Sequence, residues 1–181
     1  PYSFLFDSCA DALDAFRERL PKMIEFAKAL AIAELEVAGE YSDSKHNPFF
    51  EEFGRNGLDL QDLALFPDYL VCVKAEKMQA AENAKLMEIL SANLPVKVLV
   101  QTDDLLEESL LDQKQFAFGL RSKRLASMAI GLNEVYVLQS SSSHLFQFRD
   151  RILKGLSYPG AAVFSVFSGA TQEAGGLQPY L

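Results

Sequence analysis

The sequence predicts an α/β fold: a mostly parallel, doubly wound sheet of about four or more strands flanked by helices, with a helical N-terminal third. Three observations carry that prediction. Short apolar runs recur at residues 69–73, 96–100, 135–138 and 162–167, and runs without polar alternation mark strands buried on both faces. Segments with helical spacing at 78–91, 116–131 and 143–154 separate those runs, so strand and helix alternate. Residues 133–169 read in order as strand, serine-rich loop, helix, Tyr-Pro-Gly turn and strand, which is the repeating unit of a parallel sheet.

Asp7 and Ser8 are suited to capping a first helix that runs to about Leu20, with Ala10, Leu13, Phe16, Arg17 and Leu20 giving a mixed face. Pro21 fits the first turn of a second helix, which carries Met23, Phe26, Leu30 and Leu35 and stops at Gly39. Between Ala29 and Ala33 that helix is apolar all round, which implies either packing across the sheet or a partner surface that the chain itself lacks. Residues 41–57 have the composition of a loop anchored by Phe49, Phe50 and Phe53. His46 lies there near Asp43, Glu51 and Glu52; the spacing fits no metal site, so it reads as an exposed loop histidine.

The strand at 69–73 is bounded by Pro67 and Asp68 on one side and Lys74 on the other. A helix with Ala80, Ala84, Met87 and Leu90 on one side follows, and Pro95 precedes the next strand. Residues 101–111 read as a polar, acidic connection into the helix at 116–131. The expected organisation is a single α/β domain over residues 1–181, with 1–57 as helical lead-in and loop and 58–181 as the βαβ core. A start at Pro1 and a stop soon after the Gly175-Gly176 pair are expected of a fragment of a longer chain.

Composition excludes several function classes. With 181 residues, 49% hydrophobic and 23% charged, the chain can bury a core without disulfides or metals. A net charge of −8 argues against a nucleic-acid partner, and Arg121, Lys123 and Arg124 read as a solvated helix face. No apolar run reaches the roughly 20 residues that span a bilayer, so no membrane partner is expected. The two cysteines, Cys9 and Cys72, fit no zinc or iron–sulfur spacing. Cys72 lies inside an apolar run and is expected to be a buried thiol, which points to a reducing, cytoplasmic setting.

The candidate site residues follow strand ends. Thr102, Asp103 and Asp104, with Glu107 and Glu108 beyond, offer carboxylates where a Mg²⁺ ion with phosphate oxygens could sit; helix capping explains the same residues. Ser140, Ser141, Ser142 and Ser143, followed by His144, offer hydroxyls and backbone N–H groups to an anion; a capped turn is the simpler account of the same residues. No glycine lies in that loop, and the chain contains neither GxGxxG, nor GxxxxGK[ST], nor a Gly-x-Ser-x-Gly nucleophile turn. Catalytic residues and metal ligands are therefore not assigned.

Two stretches, VKVLVQTDD and LASMAIGLNEVYVLQSSSSHLFQFRDRILKGLSYPGAAVFSVFSG, together resemble the thiamine-diphosphate-binding domain of the pyruvate:ferredoxin (2-oxoacid) oxidoreductase family. The matching pieces are residues 96–103, a strand ending in Asp; 128–137, a Met-Ala helix and a VYV strand; and 158–168, a Tyr-x-Gly turn into the last strand. The resemblance covers roughly half the chain. It implies a thiamine-diphosphate-binding-like fold and, as family cofactors, thiamine diphosphate and Mg²⁺. Where the family has Gly-Asp-Gly and Asn-Thr-Gly-Gly stretches, this chain has FPDYLVCVKAEK and QTDDLLEESLLDQ. Asp103 falls near the family's acidic strand end, but the asparagine ligand and the four-cysteine cluster sets have no counterpart.

The expectation is thus a non-catalytic or degenerate module of a 2-oxoacid:ferredoxin oxidoreductase-like protein with a structural or assembly role and no cofactor of its own. Its partners would be the rest of a larger oxidoreductase polypeptide or a second copy. One alternative is a thiamine diphosphate/Mg²⁺-binding part completed by another segment, with Asp103, Asp104 and Ser140 to Ser143 at the cofactor. Another is an α/β interaction domain that dimerises through the helix around Ala29 to Ala33.

Overall fold

A computed structural model describes residues 3–54, 58, 62, 66–102, 106–109, 112–118, 120–132, 134–141, 144 and 146–167. Two compact units emerge: residues 1–13 together with 68–181, and residues 14–67.

The first unit is built on a five-stranded, all-parallel sheet in the order β1-β2-β3-β7-β6. Its strands are β1 (Ser3–Phe6), β2 (Asp68–Lys74), β3 (Val96–Thr102), β6 (Tyr136–Ser141) and β7 (Ala162–Phe167). β4 (Leu106–Ser109) and β5 (Asp112–Phe118) form a separate antiparallel pair. The helices are α1 (Cys9–Ala38), α2 (Asp43–Glu51), α3 (Ala80–Ser91), α4 (Leu120–Ile130) and α5 (Arg149–Leu156), with a short 3₁₀ turn at Ala75–Lys77. The α/β class and the parallel sheet agree with the sequence pattern, and all four expected strands form.

Four local expectations need correction. Ser3–Phe6 is a fifth strand at the sheet edge, so the N-terminal third is not wholly helical. The polar connection after β3 contains β4 and β5, and the helix expected from residue 116 begins at Leu120. Pro21 lies inside a single 30-residue helix instead of opening a second one, while Gly39, at φ +70°, ends that helix as expected. The loop expected at 41–57 contains α2, where Ser42 accepts the backbone N–H of His46 one turn on.

Strand order fixes which face of the sheet is covered. From β1 to β2, β2 to β3 and β3 to β6 the chain moves across the sheet in one direction, and from β6 to β7 it turns back. Among the described helices, right-handed crossovers therefore place the start of α1, α3 and α4 on one face and α5 alone on the other. The first face is closed: Tyr69, Val71, Val96, Val98 and Val163 are fully buried there, and Leu86 and Ile89 of α3 and Leu13 of α1 are buried as well. On the second face Ile152 of α5 packs against Leu138, Ala162 and Phe164, with Leu99 and Tyr136 alongside. Gly155 permits this approach, since a Cβ there would stand 2.5 Å from Tyr136 and 2.7 Å from Phe164.

Local capping positions the two ends of this unit. Ser8 caps α1 by accepting the N–H groups of Ala10 (3.1 Å) and Asp11 (3.3 Å). Glu82 of α3 reaches the same terminus, where it accepts the Cys9 N–H. Its negative charge suits the positive end of the helix. At the entry to β7, Asn93 adopts φ +46° and its Oδ1 accepts the Ala161 N–H at 2.9 Å.

The second unit contains most of α1, α2 and an aromatic group. Phe16 stacks on Phe66 at 5.3 Å between centroids, and Phe50 meets Phe49 edge-on at 5.2 Å. Phe53 lies within 6.0 Å of Phe50 and Tyr41 stacks on it at 6.4 Å; of the three expected anchors Phe50 is buried, whereas Phe49 is 58% exposed.

Candidate functional site

Alternate residues of β1, β2 and β3 point to the face that α5 leaves uncovered. Register places Leu5 beside Leu70, Leu70 beside Lys97, and Cys72 beside Leu99. Leu5 is 72% exposed, whereas Val98, one residue along β3 and facing the other way, is fully buried. A groove of about 320 Å³ runs over this half of the sheet, lined by Leu70, Cys72, Leu99, Phe164, Ile152 and Leu156 among others. That volume is the size of a small-molecule or short side-chain site, and its walls are almost entirely apolar.

At the C-terminal ends of the strands the groove meets a polar recess of about 190 Å³ formed by Asp7, Lys74, Lys77 and Gln101, with Cys72 and Leu99 shared between the two. Cys72 is exposed at this junction, which corrects the expectation of a buried thiol. Its position in an apolar run hid the fact that it faces the open side. Partial burial among leucines still pushes its pKa up. Cys9 is the buried cysteine: burial first, then the charge of Glu82 and a hydrogen bond to it, push its pKa up to about 12. A thiol at a helix N-terminus is usually activated, but here it is held neutral.

Lys97 lines the groove from its other end and is only 4% exposed. Its Nζ donates to the carbonyls of Tyr158 and Gly160, the latter at 2.6 Å, and stands 5.9 Å over the Tyr158 ring. Burial pulls its pKa down to about 8, against a smaller opposing pull from Asp68. The ammonium thus ties β3 to the turn that starts β7. This residue carried no signal in the sequence beyond a lysine interrupting an apolar run.

No family model and no curated protein matches the chain.

Of the residues expected to touch a cofactor, Asp103, Asp104, Ser142 and Ser143 lie outside the described residues. Ser140 and Ser141 belong to β6 itself, opposite Val166 and Phe167 of β7, and not to a loop after it. β6 runs three residues further than the apolar run because pairing with β7 continues through the serines. The Ser140 hydroxyl donates to the Ser141 carbonyl at 3.3 Å, and the Ser141 hydroxyl pairs with His144 Nδ1 at 2.8 Å. Extended strand with locally engaged hydroxyls does not supply the fan of converging N–H donors that a diphosphate requires, so these two residues do not fit that group.

Thr102, Phe167 and Ser141 are register partners at the ends of β3, β7 and β6. Two strand spacings, about 10 Å, therefore separate the points where the chain leaves β3 and β6. Among the described residues no three His, Cys, Asp or Glu side chains gather to hold a metal ion. His46 sits on α2, where its Nδ1 accepts the Ser42 N–H at 2.9 Å and its ring lies 5.4 Å from Tyr41. No described helix is long and apolar enough to cross a membrane.

Proposed function

We propose that this chain is an assembly module of the thiamine-diphosphate-binding type, belonging to a 2-oxoacid:ferredoxin oxidoreductase-like protein, and that it acts through a surface without catalysing a reaction itself. The carrying observation is the half-open sheet. Over β1, β2 and β3 the strands present Leu5, Leu70 and Leu99 to an apolar groove, a surface suited to another domain or subunit of such a protein. The three stretches that resemble the oxidoreductase family support the reading as well: they fall on β3, on α4 and β6, and on β7, and those three strands are adjacent in the sheet.

Calorimetric titration with thiamine diphosphate and Mg²⁺ tests the cofactor-free part of the proposal. The expected result is no saturable heat. A dissociation constant tighter than roughly 100 µM, near −5.5 kcal/mol, would sink it.

A second reading is favoured by the matched ends of β3 and β6. Asp103 and Asp104 follow one of those ends and Ser142 and Ser143 follow the other, at the place in an open parallel sheet where ligands bind. In that reading thiamine diphosphate and Mg²⁺ are held jointly with another segment, and binding would be detected only when that segment is present.

A further inference from the structure

Among the described residues of the second unit, α1 carries an unpartnered stripe. Met23, Phe26, Leu30, Ala33 and Val37 follow one another at spacings of three, four, three and four residues, the alternation that keeps side chains on one seam of a helix. Met23 is half-buried and the others are exposed, Phe26 to 55%, Leu30 to 40% and Val37 to 91%. Within the second unit the buried residues of α1 are Phe16 and Ala27, and neither belongs to that row. Five apolar side chains in a row on a solvent-facing seam are what a helical partner covers.

Charge selects the partner and its direction. Lys22 and Glu36 flank the seam on the same side, both exposed, and among the described residues neither has an ion-pair partner. They lie 14 residues apart, too far to meet each other along one helix, but a two-fold axis near residue 29 brings each to the other across an antiparallel pair. In that register Phe26 of one copy packs beside Leu30 of the other, Met23 beside Ala33, and Lys22 beside Glu36 at both ends. A parallel pairing would bring Lys22 toward Ala27 and leave Glu36 without a cation.

We propose that α1 is a homodimerisation helix, pairing antiparallel with the same helix of a second copy through Phe26, Leu30 and the Lys22–Glu36 contacts. The seam spans about two heptads, short for a free coiled coil. Because α1 is already folded within its unit, ordering it adds little to the cost of association. The interface is small, so association is expected in the range of tens of micromolar and not tighter.

Sedimentation velocity over a concentration series tests this, with charge exchange as the decisive arm. The expected result is a reversible monomer–dimer equilibrium that Leu30→Glu weakens at least tenfold. Lys22→Glu and Glu36→Lys should each weaken it severalfold, and the double exchange Lys22→Glu/Glu36→Lys should restore it. Circular dichroism melting on each variant separates lost association from lost folding. A chain that remains monomeric to several hundred micromolar overturns the proposal. So does a dimer that ignores Leu30→Glu but disappears with Leu70→Glu, because the second copy would then sit on the sheet face. A double exchange that fails to rescue two folded single variants removes the antiparallel register.

Discussion

The two faces of the central sheet are made by the same strands and have opposite fates. Val71, Val73, Val98 and Val100 point to the side covered by the start of α1, by α3 and by α4, and are almost completely withdrawn from water. Leu5, Leu70, Cys72 and Leu99 point the other way, where among the described helices α5 alone lies, packed on β6 and β7 with Leu99 at its margin. The difference comes from topology, not composition: both sets are apolar, and only the reversal of direction between β6 and β7 decides which is enclosed. Apolar residues on a strand thus report a place in the sheet, while the connections determine whether they form core or surface.

Truncation sharpens this contrast most. Leu90→Ala, in the closed core, is expected to cost about 2–5 kcal/mol of unfolding free energy, whereas Leu70→Ala on the open face should cost about 1 kcal/mol or less. Urea denaturation of the two variants gives the comparison. Equal losses would mean that the open face is covered in solution.

Next in size is the pH dependence set by Lys97. Below pH 8 the ammonium is charged in both folded and unfolded chains, and its burial cost is fully present. As pH rises from about 8 toward 10.5 the folded protein alone gives up the proton, so stability increases, by about 1.4 kcal/mol per unit of separation between the two values. Cys9 acts in the opposite sense. Above pH 9 the unfolded chain ionises this thiol while the folded chain retains the proton up to about pH 12, so stability falls through that window. Denaturant midpoints should therefore rise from pH 8 to 9. Lys97→Met should remove the rise, and Cys9→Ala should extend it to higher pH.

The smallest effect concerns the two thiols themselves. In the native protein one equivalent of a disulfide reagent is expected to react, at Cys72, more slowly than with a free thiol because its pKa is raised. The second equivalent, at Cys9, should appear only on unfolding, and Cys72→Ser should abolish the first. Early modification of Cys9 would break the contrast between the faces.

Much of this architecture was legible in the sequence. Short, mainly apolar runs announced β2, β3, β6 and β7, and helical spacing announced α3. β1 was hidden because four residues at a sheet edge, ahead of a good helix cap, leave too short a pattern to separate from a loop. β4 and β5 were hidden because an antiparallel pair beside the sheet needs no continuous apolar run. Neighbour relations were beyond reach: nothing local in residues 162–167 states that they pair with β3 on one side and β6 on the other. The site was less legible than the fold. The serines marked a strand end, but Ser140 and Ser141 continue the strand, and the groove rests on Leu5, Leu70 and Cys72, whose types look the same inside or out.

The place of β7 has a consequence for how the molecule comes into being. β7 follows every other described strand yet lies between β3 and β6, so those two have no hydrogen-bonded neighbour in common until residues 162–167 have been synthesised. As the chain emerges, β1, β2 and β3 can align early, but the inner edge of β3 stays bare, with its backbone groups unpaired. The sheet closes only when its last strand slides into a waiting slot. Folding is thereby tied to a late, long-range event, and any nascent chain stopped before Ala162 presents an adhesive strand edge to its surroundings.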